Sequence, residues 1–248
     1  MSTTLSQKLI EKLALAVFAA LTSVVIEKIP GLAKKVADWW HGKSLAVIGP
    51  TASGKNTLFH KLQHQTPPVD HIQTRGAEAI ETFKVNWPMP DRSTVEFRCK
   101  GSINVGGEVD ERERYWLQTC KTADVIFYLI DVIKLTEAPE ETLARIKSDL
   151  KWLVTNLRHF KSSSCIHILI NKIDVLVENI EPDEVADKIQ EKIGPIIDNL
   201  KTLIDRIMQG HHGRVSGVGA ISLTDDHLFG LLFTGALMDV TKAQLATA

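Results

Sequence analysis

The run GPTASGKNTL, Gly49 to Leu58, sets four residues between two glycines and a lysine directly after the second. Successive backbone N–H groups of such a turn can wrap a phosphate, because glycine accepts the tight geometry and lets the chain approach an oxyanion closely. A helix starting at the end of the turn adds its own unpaired N–H groups and the positive end of its dipole. Gly49, Thr51, Ala52, Ser53 and Gly54 are therefore candidate phosphate contacts, and Lys55 is expected to reach the β- and γ-phosphates. The following position normally carries a hydroxyl that holds magnesium. Here it is Asn56, with Thr57 one place late, and both are candidate metal and phosphate ligands.

A second segment says which nucleotide this is. Asn171-Lys172-Ile173-Asp174 directly follows the apolar run HILI. In that place an Asp174 carboxylate can accept two hydrogen bonds, from N1–H and N2–H of guanine. Adenine has no such pair of donors and would leave a buried carboxylate unpaired, at a cost of a few kcal/mol. Asn171 is expected to tie this segment to the phosphate loop, and the stem of Lys172 to cover the base. GTP or GDP is the expected ligand.

These segments need a scaffold, and the intervening chain supplies one. Ser44–Gly49 is a short apolar run ending in the loop, and NTLFHKLQ continues as a helix. Val95–Val105 holds a further strand candidate. Ala123–Val132 and Ile166–Ile170 are nearly all apolar, as strands covered on both faces of a parallel sheet should be. Pro139 opens a helix in which Leu143, Ile146, Leu150, Leu153 and Leu157 recur at helical spacing. A pair of helices split at Gly194-Pro195 is expected between Pro182 and Met208, then a strand over Val215–Ser222 and a closing helix over Asp226–Leu245. Alternating strands and helices predict an α/β, P-loop three-layer sandwich: a mostly parallel sheet of about six strands with helices on both faces. Sites in such sheets lie at the carboxyl ends of the strands.

Composition bounds the rest. The chain has 248 residues, 44% hydrophobic and 24% charged, with a formal net charge of -1. That is a folded globular chain with no global field for nucleic acid, so no nucleic-acid partner is expected. Cys99, Cys120 and Cys165 are far apart and read as buried thiols of a reducing, cytoplasmic setting. The histidine pairs His60/His64 and His211/His212 lack accompanying carboxylates or thiols at ligand spacing, which argues against a metal there.

Residues 1–42 read as an N-terminal helical extension ahead of a domain over 43–248. Leu13–Ile26 carries no charge, yet fourteen helical residues rise only about 21 Å, short of a roughly 30 Å hydrocarbon core. Gly31–Trp40 is amphipathic, with Leu32, Val36 and Trp39/Trp40 on one side and Lys34 and Lys35 opposite. Two readings stay open for residues 5–40: attachment to the cytoplasmic face of a membrane, or packing on protein.

With these motifs on the page, the chain resembles the small GTPases, and within them the ADP-ribosylation-factor and signal-recognition-particle-receptor-β branch, over roughly residues 44–240. Asn104-Val105-Gly106-Gly107-Glu108 stands where that branch writes Asp-Val-Gly-Gly-Gln. Arg114-Tyr115-Trp116 follows where it has Arg-x-x-Trp. Thr74-Arg75-Gly76 and Glu81-Thr82 resemble its first switch, and Ile221-Ser222-Leu223-Thr224 its last guanine loop. The resemblance implies Thr74 as a magnesium ligand, Gly107 at the γ-phosphate, Ser222 and Leu223 at the base, and a protein partner reading the switch regions, the first of them within Pro67 to Trp87. It also makes the departures informative. The family's metal-holding hydroxyl, its acidic residue and its water-positioning Gln are here Asn56, Asn104 and Glu108. An amide ligates magnesium but crowds a tight octahedral site, and losing the acidic residue weakens metal binding roughly tenfold or more. Glu108 is the remaining catalytic candidate. Nucleotide binding with weakened magnesium and slow or absent hydrolysis is the expectation, unless Thr57 takes the metal or a partner supplies catalytic groups. GPTASGK also resembles tRNA dimethylallyltransferases, but the chain after the loop lacks their acidic-Ser-Gln segment and Asp174 would have no role. A non-nucleotide interaction module keeping the fold is the rival of another class.

Overall fold

A computed structural model describes residues 32–63, 82–88, 94–99, 112–177, 185–224 and 226–246. The segment Leu13–Ile26, the first-switch residues around Thr74, and Asn104, Gly107 and Glu108 lie outside them. Helix α1 (Leu32–Trp40) leads into β1 (Lys43–Ile48), the phosphate-loop segment and α2 (Lys55–Leu62). β2 (Phe83–Pro88) and β3 (Thr94–Cys99) follow, then a π-helical turn (Arg112–Trp116), α3 (Leu117–Lys121) and β4 (Val125–Asp131). The short α4 (Val132–Glu137) precedes α5 (Pro139–Asn156) and β5 (Cys165–Asn171). The chain closes with α6 (Val185–Ile207), β6 (Val215–Ile221) and α7 (Asp226–Ala246).

The six strands form one sheet in the order β2-β3-β1-β4-β5-β6, with every pairing parallel except β2 to β3. All residues of β4 and of β5 are buried, and their side chains alternate between two cores. Ile126, Tyr128, Ile130, Ile166, Ile168 and Ile170 feed one core, completed by Trp116, α5 and α6. Val125, Phe127, Leu129 and Leu169 feed the other, completed by α1, α2 and α7. Register then fixes the working edge. Asp131 pairs beside Asn171, and Asn171 beside Ile221, so the carboxyl ends of β4, β5 and β6 lie abreast.

One expectation is corrected. The region around Gly194-Pro195 is not a break between helices but the interior of α6, which runs through Pro195. Pro195 is exposed, while Ile197, Leu200 and Ile204 bury one continuous stripe against the core. That burial outweighs the lost backbone hydrogen bond. Of the two readings left open for residues 5–40, packing on protein is the one seen in the described part of the amphipathic stretch. From Leu32 onward it is α1, packed on β3 and α7, with Val36 and Trp40 fully buried and Trp40 Nε1 donating to Leu237 O at 3.1 Å. Residues 83–87, at the end of the stretch assigned to the first switch, are strand β2. Trp87 there packs on Phe229 and Phe233 of α7 and donates to Thr234 Oγ1. Among the described residues no helix is long and apolar enough to cross a membrane. The three cysteines are free and buried.

Candidate functional site

The phosphate loop is held in a shape only small residues allow. Gly49 has φ 147, and a Cβ there would sit 2.3 Å from Leu129 O. Gly54, at φ 97, caps α2, and a Cβ there would lie 2.2 Å from Asn171 Nδ2. Ala52, a non-glycine residue, is also left-handed at φ 64. Loops with such alternating backbone turn their N–H groups into one concavity. Lys55 is buried, and its Nζ donates to Gly49 O at 2.9 Å and Pro50 O at 2.7 Å, folding the ammonium back over the loop. Asn56 and Thr57 occupy the first turn of α2, both half-buried.

The second segment meets the first directly. Asn171 Nδ2 donates to Ser53 O at 2.9 Å, so the last residue of β5 straps onto the loop after β1. Ser53 Oγ and Asn171 Oδ1 are buried at this junction with no hydrogen-bond partner among the described residues. Buried polar atoms are nearly always paired, so the junction has capacity for a polar ligand or water. Lys172, left-handed at φ 66, pairs its Nζ with Asp131 Oδ2 at 2.6 Å. Asp131 in turn caps α4 by accepting from Ile133 N–H at 2.9 Å.

The third segment joins them. Ser222 Oγ donates to Asp174 Oδ1 at 2.6 Å and lies 3.0 Å from Thr224 Oγ1. Leu223 is buried beside Gly54, the position of its Cδ1 being 3.2 Å from a Cβ placed there. Thus Gly49, Thr51, Ala52, Ser53, Gly54, Lys55, Asn171, Lys172, Asp174, Ser222 and Leu223 line one edge of the sheet. The longer chain between Asp174 and Ser222 is taken up by α6, which leaves β6 in its parallel place beside β5. Thr74, Gly107 and Glu108 fall outside the described residues. Among the described residues no cluster of three His, Cys, Asp or Glu could hold a metal.

Two residues at this edge belong to none of the sequence motifs. Asp131 reads as the end of a buried strand; its bond to Ile133 N–H is a local cap, but its pairing with Lys172 appears only when β4 and β5 are in register. Lys134, on α4, reaches the loop: its Nζ donates to Thr51 O at 3.0 Å. The available signal was a carboxylate ending an otherwise apolar strand, since a buried acid needs a partner.

A family model described as "Arf: ADP-ribosylation factor family" matches residues 32–209. No curated protein matches the chain in sequence. Among solved structures, a Methanosarcina barkeri Roco2 RocCORdC bound to GDP is 16% identical at TM-score 0.43, over 79% of this chain and 49% of that one. The chain therefore spans about half the length of that structure. Two variants of SsGBP are each 16% identical at TM-score 0.49, with 97% and 96% of this chain and 69% and 68% of theirs covered.

Proposed function

Because the chain belongs to the ADP-ribosylation factor family, we propose that it is a guanine-nucleotide-binding switch or scaffold whose intrinsic hydrolysis is slow or absent. One hydrogen bond carries the proposal, that from Asn171 Nδ2 to Ser53 O. It makes the phosphate loop and the base-reading segment two walls of one site rather than two coincidental motifs. Asp174 would accept from the Watson–Crick edge of guanine, held in place by the Ser222 hydroxyl. Lys55 would exchange its loop carbonyls for β- and γ-phosphate oxygens, a stronger charge-assisted pairing. Magnesium, when bound, neutralises charge between the β- and γ-phosphates. Asn56 offers it an amide and Thr57 a hydroxyl displaced by one residue, and Asn104 offers no charge. Weak metal binding and slow hydrolysis follow from that donor set. Residues 43–248 would form the nucleotide domain and 1–42 its extension. Since the apolar face of α1 is buried, membrane contact at the cytoplasmic face falls to the segment before it, around Leu13–Ile26. A protein partner would read the nucleotide through the switch residues.

The test is to denature freshly purified full-length protein, identify the small molecule released, and titrate GDP, GTP and ATP against melting temperature. GDP or GTP in the extract, and a guanine-specific rise of several degrees at saturating ligand, are expected. Saturable ATP binding with none for GTP would overturn the proposal. Single-turnover GTP hydrolysis should be faster in the Asn56→Thr/Asn104→Asp double variant than in the wild type.

A further inference from the structure

We propose that Lys134 is a second phosphate-directed cation of this site: an ammonium brought from α4 to the crest of the phosphate loop, supplying to a triphosphate part of the charge that a weakly held magnesium does not. It takes this role only if the guanine-nucleotide assignment above holds.

Its position comes first. Lys55 Nζ covers Gly49 O and Pro50 O, and Lys134 Nζ covers the next carbonyl, Thr51 O, at 3.0 Å. Two ammonium groups thus span three successive carbonyls of one loop, one buried within it and one exposed at its rim. The backbone that delivers Lys134 is fixed on every side. Asp131 caps α4 through Ile133 N–H. The Lys134 carbonyl accepts from Ala138 N–H at 3.0 Å and from Thr142 Oγ1 at 2.9 Å. Asp131 also holds Lys172 of the base-reading segment, so the start of α4 is tied to both halves of the site.

The side chain, by contrast, makes its one hydrogen bond among the described residues at its tip, to a neutral carbonyl. No carboxylate pairs with Lys134 among the described residues, whereas a surface lysine with an acid nearby is commonly drawn to it. A neutral acceptor competes poorly with a phosphate oxygen, because charge-assisted hydrogen bonds are about twice as strong. Four methylenes let the ammonium swing several ångström while its backbone stays still. The need for such a charge is local. Asn56 replaces the metal-holding hydroxyl, Asn104 replaces an acid, and the described residues offer no acidic cluster for a cation. Positive charge beside the transferring phosphates is what magnesium and cationic side chains supply in phosphate chemistry generally.

Charge at the outer phosphates must favour the triphosphate over the diphosphate, and more so without metal. The test uses the full-length chain and measures Kd for GDP and for the imido analogue of GTP, each with magnesium and with EDTA, in wild type, Lys134→Met and Lys134→Arg. Lys134→Met should weaken the triphosphate analogue about tenfold and GDP less than about threefold, with a wider gap in EDTA. Lys134→Arg should restore the wild-type ratio. Because Lys134 is exposed, the unliganded melting temperature of Lys134→Met should match the wild type. Equal weakening of both nucleotides would make Lys134 a prop for the loop only, and unchanged affinities would remove any role; either overturns the inference while leaving guanine binding intact. A wild-type protein that binds neither nucleotide would overturn the assignment beneath it as well.

Discussion

Asp149 has no exposed surface, yet it accepts from Arg112 Nη1 at 2.8 Å, Tyr128 Oη at 2.8 Å and Arg145 Nε at 2.9 and 3.0 Å. The cluster fastens the π-helical turn Arg112–Trp116 to α5, assisted by Trp152 Nε1 donating to Glu113 Oε2 at 3.0 Å. Burial and the neighbouring Asp149 charge push the Tyr128 hydroxyl well above its ordinary pKa, so it remains a donor. Asp149→Ala would take the buried carboxylate from Arg112, leaving it Ser148 Oγ and the exposed Glu113, and should cost about 3–5 kcal/mol, read as a fall in melting temperature. Tyr128→Phe, which removes a single hydrogen bond, should cost about 1 kcal/mol. An Asp149→Ala loss no larger than that of Tyr128→Phe would mean the cluster is not a unit. In the sequence Asp149 is one acid among many on a helix. Its neighbours Ile146, Leu150 and Leu153 mark it as facing inward, but only the folded chain supplies two arginines and a tyrosine. Asn171 and Asp174 are the opposite case, since their place after an apolar strand was enough to assign them to the site.

At the scale of elements, helical periodicity and helix breakers compete, and α6 shows which wins. Proline in a helix interior costs about 3 kcal/mol in an exposed setting. The stripe Ile197, Leu200 and Ile204 buries enough apolar surface to exceed that cost, so the helix stays continuous. Because Pro195 faces solvent and contributes no burial, Pro195→Ala should stabilise the protein by about 1–3 kcal/mol, measured by denaturant midpoint at unchanged m-value. A destabilised Pro195→Ala variant would show that a bend at this point is needed for packing. The same competition decides α1. Its lysines and apolar stripe suit a membrane surface or a protein groove equally, and the groove between β3 and α7 settles it for residues 32–40. Strand β2 escaped the periodicity reading because it is an antiparallel edge strand ending in Pro88, and its exposed Lys84 and Asn86 alternate with Val85 and Trp87.

Across the whole molecule, a buried and a half-buried titrating group oppose each other with pH. His167 lies within the sheet core with its Nδ1 3.1 Å from Ser216 Oγ, and burial lowers its pKa from 6.5 to about 4. The unfolded chain then binds the extra proton between those values, so stability falls as pH drops from 6.5 towards 4, by about 3 kcal/mol for this group. Burial raises the Asp239 carboxyl from 3.8 to about 6, so the folded state binds the extra proton and stability falls as pH rises across that window. The wild type should therefore show a shallow stability profile between pH 4 and 6.5. Asp239→Asn should steepen the acid loss and His167→Gln should reverse its sign, followed by melting temperature against pH. Identical profiles in all three proteins would contradict both assignments. Local chemistry determined much by itself. A glycine-bounded turn with a lysine made phosphate the expected ligand, an acid after NKI made guanine the expected base, and uninterrupted apolar strands demanded cover on both faces, which β4 and β5 have. Those properties reside in short stretches of chain, so the amino-acid order is sufficient. What only the tertiary structure decided are relations between distant residues: Asp131 beside Lys172, Lys134 on Thr51, Ser222 on Asp174, Arg112 on Asp149, and α1 on α7. Each depends on which strand lies next to which and in what register, and that is set by the packing of two cores around the sheet rather than by any segment alone.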